Sequence, residues 1–327
     1  MSGKSSGRSN GASRSAVSVV GGGAWGVALA TAASNAGSDV MLYARRDGVS
    51  VRGVRVTRSL ADAAAHASLV VLAVPSHVTR EVARSLGDSL DGHHALVHGV
   101  RGLVAEGDTL RTISAVLRDE TPARRIGALG GPVLTTELLA GTPSVIVVGS
   151  RYPDVLEAVR GAFISSALRV YTTEDLVGLE WASALTGILA VAVGFARAQK
   201  MGAGIVAAFV TRAVQEAARI AVAAGAEERT MLGLGGFGDL LAAIADDARP
   251  EVKLGEAIAR GEKVDVAVKQ LDQRIEAIAL APQIVAMARR ARVPAPIFEA
   301  IAHGILADVP VADLVAKLMA TPIVSAP

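Results

Sequence analysis

Three glycines spaced G-x-G-x-x-G (Gly21, Gly23 and Gly26) are the first residues here whose type and spacing suit a definite chemistry. Bare backbone at such positions can turn sharply, approach a pyrophosphate and let a helix pack close against a strand. The apolar run Val17–Val20 precedes the triplet and the small-residue run Ala24–Ala36 follows it. The turn therefore joins a strand to a helix whose free N-terminal N–H groups favour phosphate. The alternative is a tight turn that holds no ligand. The next apolar run, Asp39–Tyr43, ends in Ala44-Arg45-Arg46-Asp47. An acid at that place would take the ribose 2′-hydroxyl of NAD. Two arginines there suit a 2′-phosphate and favour NADP, unless they are a solvated surface pair. Asp47 keeps NAD open.

Other reactive side chains are sparse. No cysteine occurs, which excludes a thiol nucleophile, a zinc ribbon and a disulfide scaffold. The six lysines are Lys4, Lys200, Lys253, Lys263, Lys269 and Lys317, so positive charge is nearly all arginine. His93, His94 and His98 cluster ahead of Arg101 but lack the further ligands a metal site needs. His77 reads as a residue capping or lining a cleft. A net charge of +2 and an aromatic share of 3% argue against a nucleic-acid surface.

The elements that must position these residues follow from periodicity. Short apolar runs at 16–20, 39–43, 69–73, 95–98, 126–129, 144–148 and 168–171 predict strands. Helices are expected at 24–36, 60–67, 77–86, 109–117 and 154–163. Strands alternating with crossover helices predict an α/β fold: a Rossmann-type, doubly wound, mostly parallel sheet. After about Thr173 the strand signal stops. Helical spacing over 175–225, 227–246, 252–259, 266–292 and 296–318 predicts an all-α second part. The expected division is a disordered tail at 1–15, a dinucleotide-binding domain at 16–173 and a helical substrate domain at 174–327. The uncharged stretch Ala16–Ser38 mimics a signal peptide, but its glycines suit a turn. The uncharged run Trp181–Ala196 is a little short to cross a bilayer and reads as a buried helix. A cytoplasmic protein is expected, with no membrane span and no nucleic-acid partner.

Several segments together resemble a known family, the bacterial NAD(P)-dependent glycerol-3-phosphate dehydrogenases. They are Val19–Ala30, Val74-Pro75-Ser76-His77, Gly131-Pro132 with Glu137-Leu138, Ala140-Gly141 and Pro143-Ser144. Further on come Val170-Tyr171 with Asp175 and Gly178, Thr211-Arg212, and Gly236-Phe237-Gly238-Asp239-Leu240. The resemblance runs from about Ala16 to Pro296 and implies a Rossmann domain followed by a helical one. It also implies hydride transfer between a nicotinamide and glycerol 3-phosphate or dihydroxyacetone phosphate, a step in supplying glycerophospholipid precursors. NAD or NADP would lie on Gly21, Gly23, Ala24, Trp25 and Gly26, with Arg45, Arg46, Arg101, Thr135 and Glu276 nearby. The substrate would lie near Arg101, Gly131, Val133, Asp239 and Arg249. A homodimer is left as one option for the assembly.

The sequence departs from the family at the reacting centre. The family lysine falls on Thr186 and its neighbouring asparagine on Gly187. The T-K-G segment becomes Val100-Arg101-Gly102. The phosphate-gripping S-R-N triplet becomes Arg249-Pro250-Glu251, and the threonine after G-P becomes Val133. Arginine does not give up its proton near neutrality. Lys200 lies about 21 Å along a continuous helix from Thr186. Thr186 and Asp239 are thus the catalytic candidates, with Glu180 a further ionisable group; the alternative for Asp239 is capping the helix after Gly238. The alternatives to an active dehydrogenase are a dinucleotide-binding pseudoenzyme and a dehydrogenase for a different hydroxy substrate.

Overall fold

The computed structural model describes residues 14–245 and 249–306. The first part is one eight-stranded sheet clothed in helices. In chain order it comprises β1 (Ala16–Val20), α1 (Ala24–Asn35), β2 (Asp39–Tyr43), β3 (Arg55–Thr57), α2 (Leu60–His66), β4 (Leu69–Leu72), α3 (Thr79–Gly87) and β5 (Ala95–His98). A hairpin of β6 (Val104–Glu106) and β7 (Thr109–Arg111) follows. Then come α4 (Ile113–Glu120), β8 (Arg125–Gly130), α5 (Thr135–Ala140), β9 (Ser144–Ser150), α6 (Pro153–Phe163) and β10 (Leu168–Thr173).

The sheet order is β10-β9-β8-β5-β4-β1-β2-β3, parallel throughout except for β8 against β9. Strands covered on both faces need apolar residues at every position. β4 (LVVL) is buried at each residue and so is β5 (ALVH). The chain leaves β1 toward β2 on one side, and β4 pairs with β1 on the other. Such a reversal opens a crevice at the carboxyl ends of the strands.

From Leu176 on, the described elements are helical: α7 (Leu176–Ala198), α8 (Ala203–Ala223), α9 (Glu228–Leu232), α10 (Asp239–Ala245), α11 (Pro250–Ala259), α12 (Val264–Leu271), α13 (Glu276–Arg290) and α14 (Pro296–Leu306). α7 is the axis of this part. It is long and apolar enough to cross a membrane, yet 94% of its most apolar stretch is buried inside the fold. α11 packs on it at backbone contact. A Cβ at Gly194 would come within 1.9 Å of the Val252 carbonyl oxygen, and one at Gly255 within 1.8 Å of that of Val191.

Some expectations need correction. The segment predicted as a helix from Thr109 opens as the strand β7, because Gly107, in a left-handed conformation (φ +56°), turns the chain back on β6. The helix starts only at Ile113, where the Thr112 side chain accepts the Ala115 amide. β3 was not foreseen; it is a short edge strand paired with β2. The runs 175–225 and 266–292 are each broken, at Lys200 (φ 51°) and at Asp272 (φ 46°). The expected tail falls outside the described residues up to position 13, as do the last residue of the run 227–246 and everything past Leu306 in the last predicted helix.

Candidate functional site

The three glycines have three different reasons to lack a side chain. Gly21 (φ +135°) would drive a Cβ to 2.1 Å from the Ala73 carbonyl oxygen at the end of β4. A Cβ on Gly26 would lie 1.8 Å from the Gly21 carbonyl oxygen, so helix and turn could not close together. Gly23 has nothing within 4 Å of its Cβ position. Packing demands the outer two glycines, whereas the middle one faces open space. Gly23 also caps α1 with no side-chain hydrogen bond, and the first turn of α1 carries no acid. Its amides are left to an external anion.

Trp25, in that first turn, lies against the end of β5: a Cβ on Gly99 would approach its Nε1 to 2.5 Å. That indole N–H is buried and has no hydrogen-bond partner among the described residues. An open amide cradle and an orphaned donor beside it fit a dinucleotide. Ala44 sits under Gly22, so the adjacent Arg45 and Arg46 lie exposed at the rim of the turn. Asp47 pairs with exposed Arg58 at 2.6 Å.

The other edge of the crevice comes from the helical part. The Ser76 hydroxyl donates to Glu276 Oε2 at 2.6 Å and the Ser76 amide to Oε1 at 3.3 Å. Glu276, in the first turn of α13, also receives Arg274 and lies against Gly102. Thr135 begins α5, whereas Gly131 (φ +86°) fits closely against Val147 and Val133 belongs to the apolar core under the sheet.

Beyond β5 the chain carries Arg101 to Asp239, Nη1 to Oδ2, at 2.6 Å. Arg249 binds the other carboxylate oxygen. Asp239 is fully buried and Arg249 only 7% exposed. The carboxylate therefore holds two guanidinium groups in place rather than capping a helix. Burial alone would lower the Arg101 pKa, but Asp239 and Glu251 together hold it above its ordinary value. Asp239 follows a π-helical turn, Leu234–Gly238. The fully buried Thr186 donates its hydroxyl to the Gly236 carbonyl of that turn at 3.4 Å. Lys200 is exposed at the break after α7.

One buried cluster beneath the site had no local signal in the sequence. Glu180 of α7 accepts the Ser114 amide (2.7 Å), the Ser114 hydroxyl (2.6 Å) and His98 Nε2 (3.1 Å). The Val100 amide donates to His98 Nδ1 at 3.4 Å. His93 and His94 instead surround Asp91, whose carboxyl is held below its usual range chiefly by the His93 amide. His77 lies in the 3-10 turn Ser76–Val78. Its neighbour Ser76 is the residue that meets Glu276.

Two family models match this chain. The one described as NAD-dependent glycerol-3-phosphate dehydrogenase N-terminus covers residues 51–155, and its C-terminus counterpart covers residues 175–316. A glycerol-3-phosphate dehydrogenase, NAD(P)+, of Fusobacterium nucleatum is 28% identical over 93% of this chain and 96% of that protein. One from Salinibacter ruber is 32% identical over 93% and 94%. The crystal structure of a glycerol-3-phosphate dehydrogenase from Coxiella burnetii shares the fold, with a TM-score of 0.85 at 23% identity, over 94% of this chain and 99% of that one.

Proposed function

The chain belongs to the NAD-dependent glycerol-3-phosphate dehydrogenase family, and on that premise we propose that it moves a hydride between NADP or NAD and carbon 2 of glycerol 3-phosphate or dihydroxyacetone phosphate. One observation carries this reading. A single strand end, Gly99 to Arg101, touches Trp25 of the glycine turn on one side and Asp239 of the helical part on the other. A dinucleotide on the turn would thus reach toward the arginine cluster.

The α1 amides and the open face of Gly23 would take the pyrophosphate. Arg45 and Arg46, exposed at the rim of the turn, would take a 2′-phosphate, which favours NADP, while Asp47 is paired with Arg58. A bound nicotinamide supplies or accepts the hydride. Arg101 and Arg249, oriented by Asp239, would hold the substrate and offset negative charge on its oxygen. The proton that completes the hydroxyl comes from water: Arg101 keeps its proton, and the Thr186 hydroxyl is committed to Gly236. We also propose a division at about residue 173, where β10 gives way to helices, between dinucleotide and substrate parts, and a cytoplasmic setting, in keeping with the absence of cysteine from the sequence.

The test is dihydroxyacetone phosphate-dependent oxidation of NADPH by the purified protein. Turnover that rises about 100-fold or more in Thr186→Lys is expected, because a positioned general acid contributes that much. NADPH binding with no turnover in either protein would reject the dehydrogenase reading. Absence of NADPH binding would reject the glycine-turn assignment as well.

A further inference from the structure

Glu251 stands in the first turn of α11, two residues past Arg249. A Cβ added at Gly187 would lie 3.9 Å from Glu251 Oε1. The carboxylate is therefore beside the α7 residue that follows Thr186. It also acts on Arg101, next after Asp239 among the groups that raise its pKa. The hydrogen bonds of Arg101 and Arg249 both go to Asp239, which leaves Glu251 without a hydrogen-bonded cation among the described residues. Its helix is closely seated. The Gly194–Val252 and Gly255–Val191 backbone contacts pin α11 along α7. Among the described residues, the two guanidinium charges here are balanced by two carboxylates, Asp239 and Glu251. A phosphate dianion entering this balanced cluster gains little net attraction and meets one carboxylate that no described cation holds by a hydrogen bond.

Resting on the reading above that the crevice takes a phosphorylated three-carbon substrate, we propose that Glu251 is a specificity-determining residue. Its carboxylate, beside Arg101 and Gly187, weakens the grip on the phosphate group and so narrows the preference for phosphorylated over unphosphorylated three-carbon substrates. An acid in the first turn of a helix also favours the helix dipole. That contribution acts on stability and is indifferent to the charge of the ligand.

The experiment is titration calorimetry of glycerol 3-phosphate, and separately of inorganic phosphate, into the protein saturated with NADPH. Glu251→Gln is expected to tighten both by at least about tenfold, the scale of one removed charge in a partly buried site. Glu251→Asp, which keeps the charge, stays within about threefold of the parent on the same argument. Glu251→Asn replaces the Gln variant if that one does not fold. Unchanged or weaker binding in the neutral variant, or equal effects of Asp and Gln, overturns the proposal. If glycerol 3-phosphate turns over but the neutral variant binds it no better, only this inference falls. If neither the parent nor the neutral variant binds it while both bind NADPH, the substrate assignment falls and the role of Glu251 with it.

Discussion

At the residue scale, the glycine turn separates packing from ligand approach. Gly26→Ala forces a methyl group onto a backbone oxygen and should cost about 1–3 kcal/mol of stability. Gly23→Ala meets no protein atom and should leave the thermal midpoint nearly unchanged. It should instead raise the NADPH Kd about tenfold or more, since its methyl occupies the approach to the pyrophosphate. Thermal unfolding and calorimetry on the two variants check this contrast; equal effects of both on binding and stability would refute it. The turn was legible in the sequence because its three residues are local and flanked by runs of clear period. The Arg101–Asp239–Arg249 cluster was legible only as separate candidates. Arg101 and Asp239 are 138 positions apart, and no local pattern records that they touch. Glu251 was visible as a departure from the family triplet, but its place beside Gly187 depends on how closely α11 lies on α7.

At the element scale, one buried acid works as a helix cap from outside its own helix. Glu216 of α8 accepts the amides of Ile297 (3.2 Å) and Phe298 (2.9 Å) at the start of α14. Burial pushes its pKa up to about 7, against the opposing pull of those amides and of Arg219 and Arg212. The folded protein therefore binds this proton more tightly than the unfolded chain does. The resulting stabilisation is complete below the ordinary carboxylate range and is lost as pH rises through about 7. The loss is on the order of 2–3 kcal/mol between pH 4.5 and pH 8. In thermal unfolding, the parent should lose stability over that interval by this much more than Glu216→Gln does. Identical pH profiles for the two proteins would show that the acid titrates normally. Period located β1, β2, β4, β5, β8, β9 and β10 and the helices α1, α2, α3, α6 and α11 to within two residues, but it ran α7 into α8 and α12 into α13 and did not find β3 or α5. It missed the β6–β7 hairpin because three-residue strands are too short to show a period, and their turn rests on one left-handed glycine.

At the scale of the whole molecule, the sheet and the helices are joined by buried polar links as well as apolar contact. Glu180 of α7 satisfies Ser114 at the start of α4 and His98 at the end of β5. Removing it leaves the buried Ser114 amide and His98 Nε2 without that acceptor, while the Ser114 hydroxyl keeps Thr112, and orphaning two buried donors costs more than the bonds themselves contribute. Glu180→Ala should lose about 3 kcal/mol and lower the thermal midpoint by roughly 5–10 °C. Glu180→Gln, which keeps an acceptor, should lose less. A midpoint unmoved by the alanine change would show that the link is not structural. The Val100 amide leans on the same histidine, so the alanine variant should also displace Arg101 and weaken substrate binding more than NADPH binding.

The link between Ser76 and Glu276 spans 200 positions, the widest sequence separation of any side-chain hydrogen bond at the crevice among the described residues. Ribosomes add about 5–20 residues per second. A nascent chain therefore exposes its amide cradle for on the order of ten seconds before the acid that closes the far wall has been translated. Birth order thus lets a nucleotide engage the emerging polypeptide well before any small substrate finds a finished pocket.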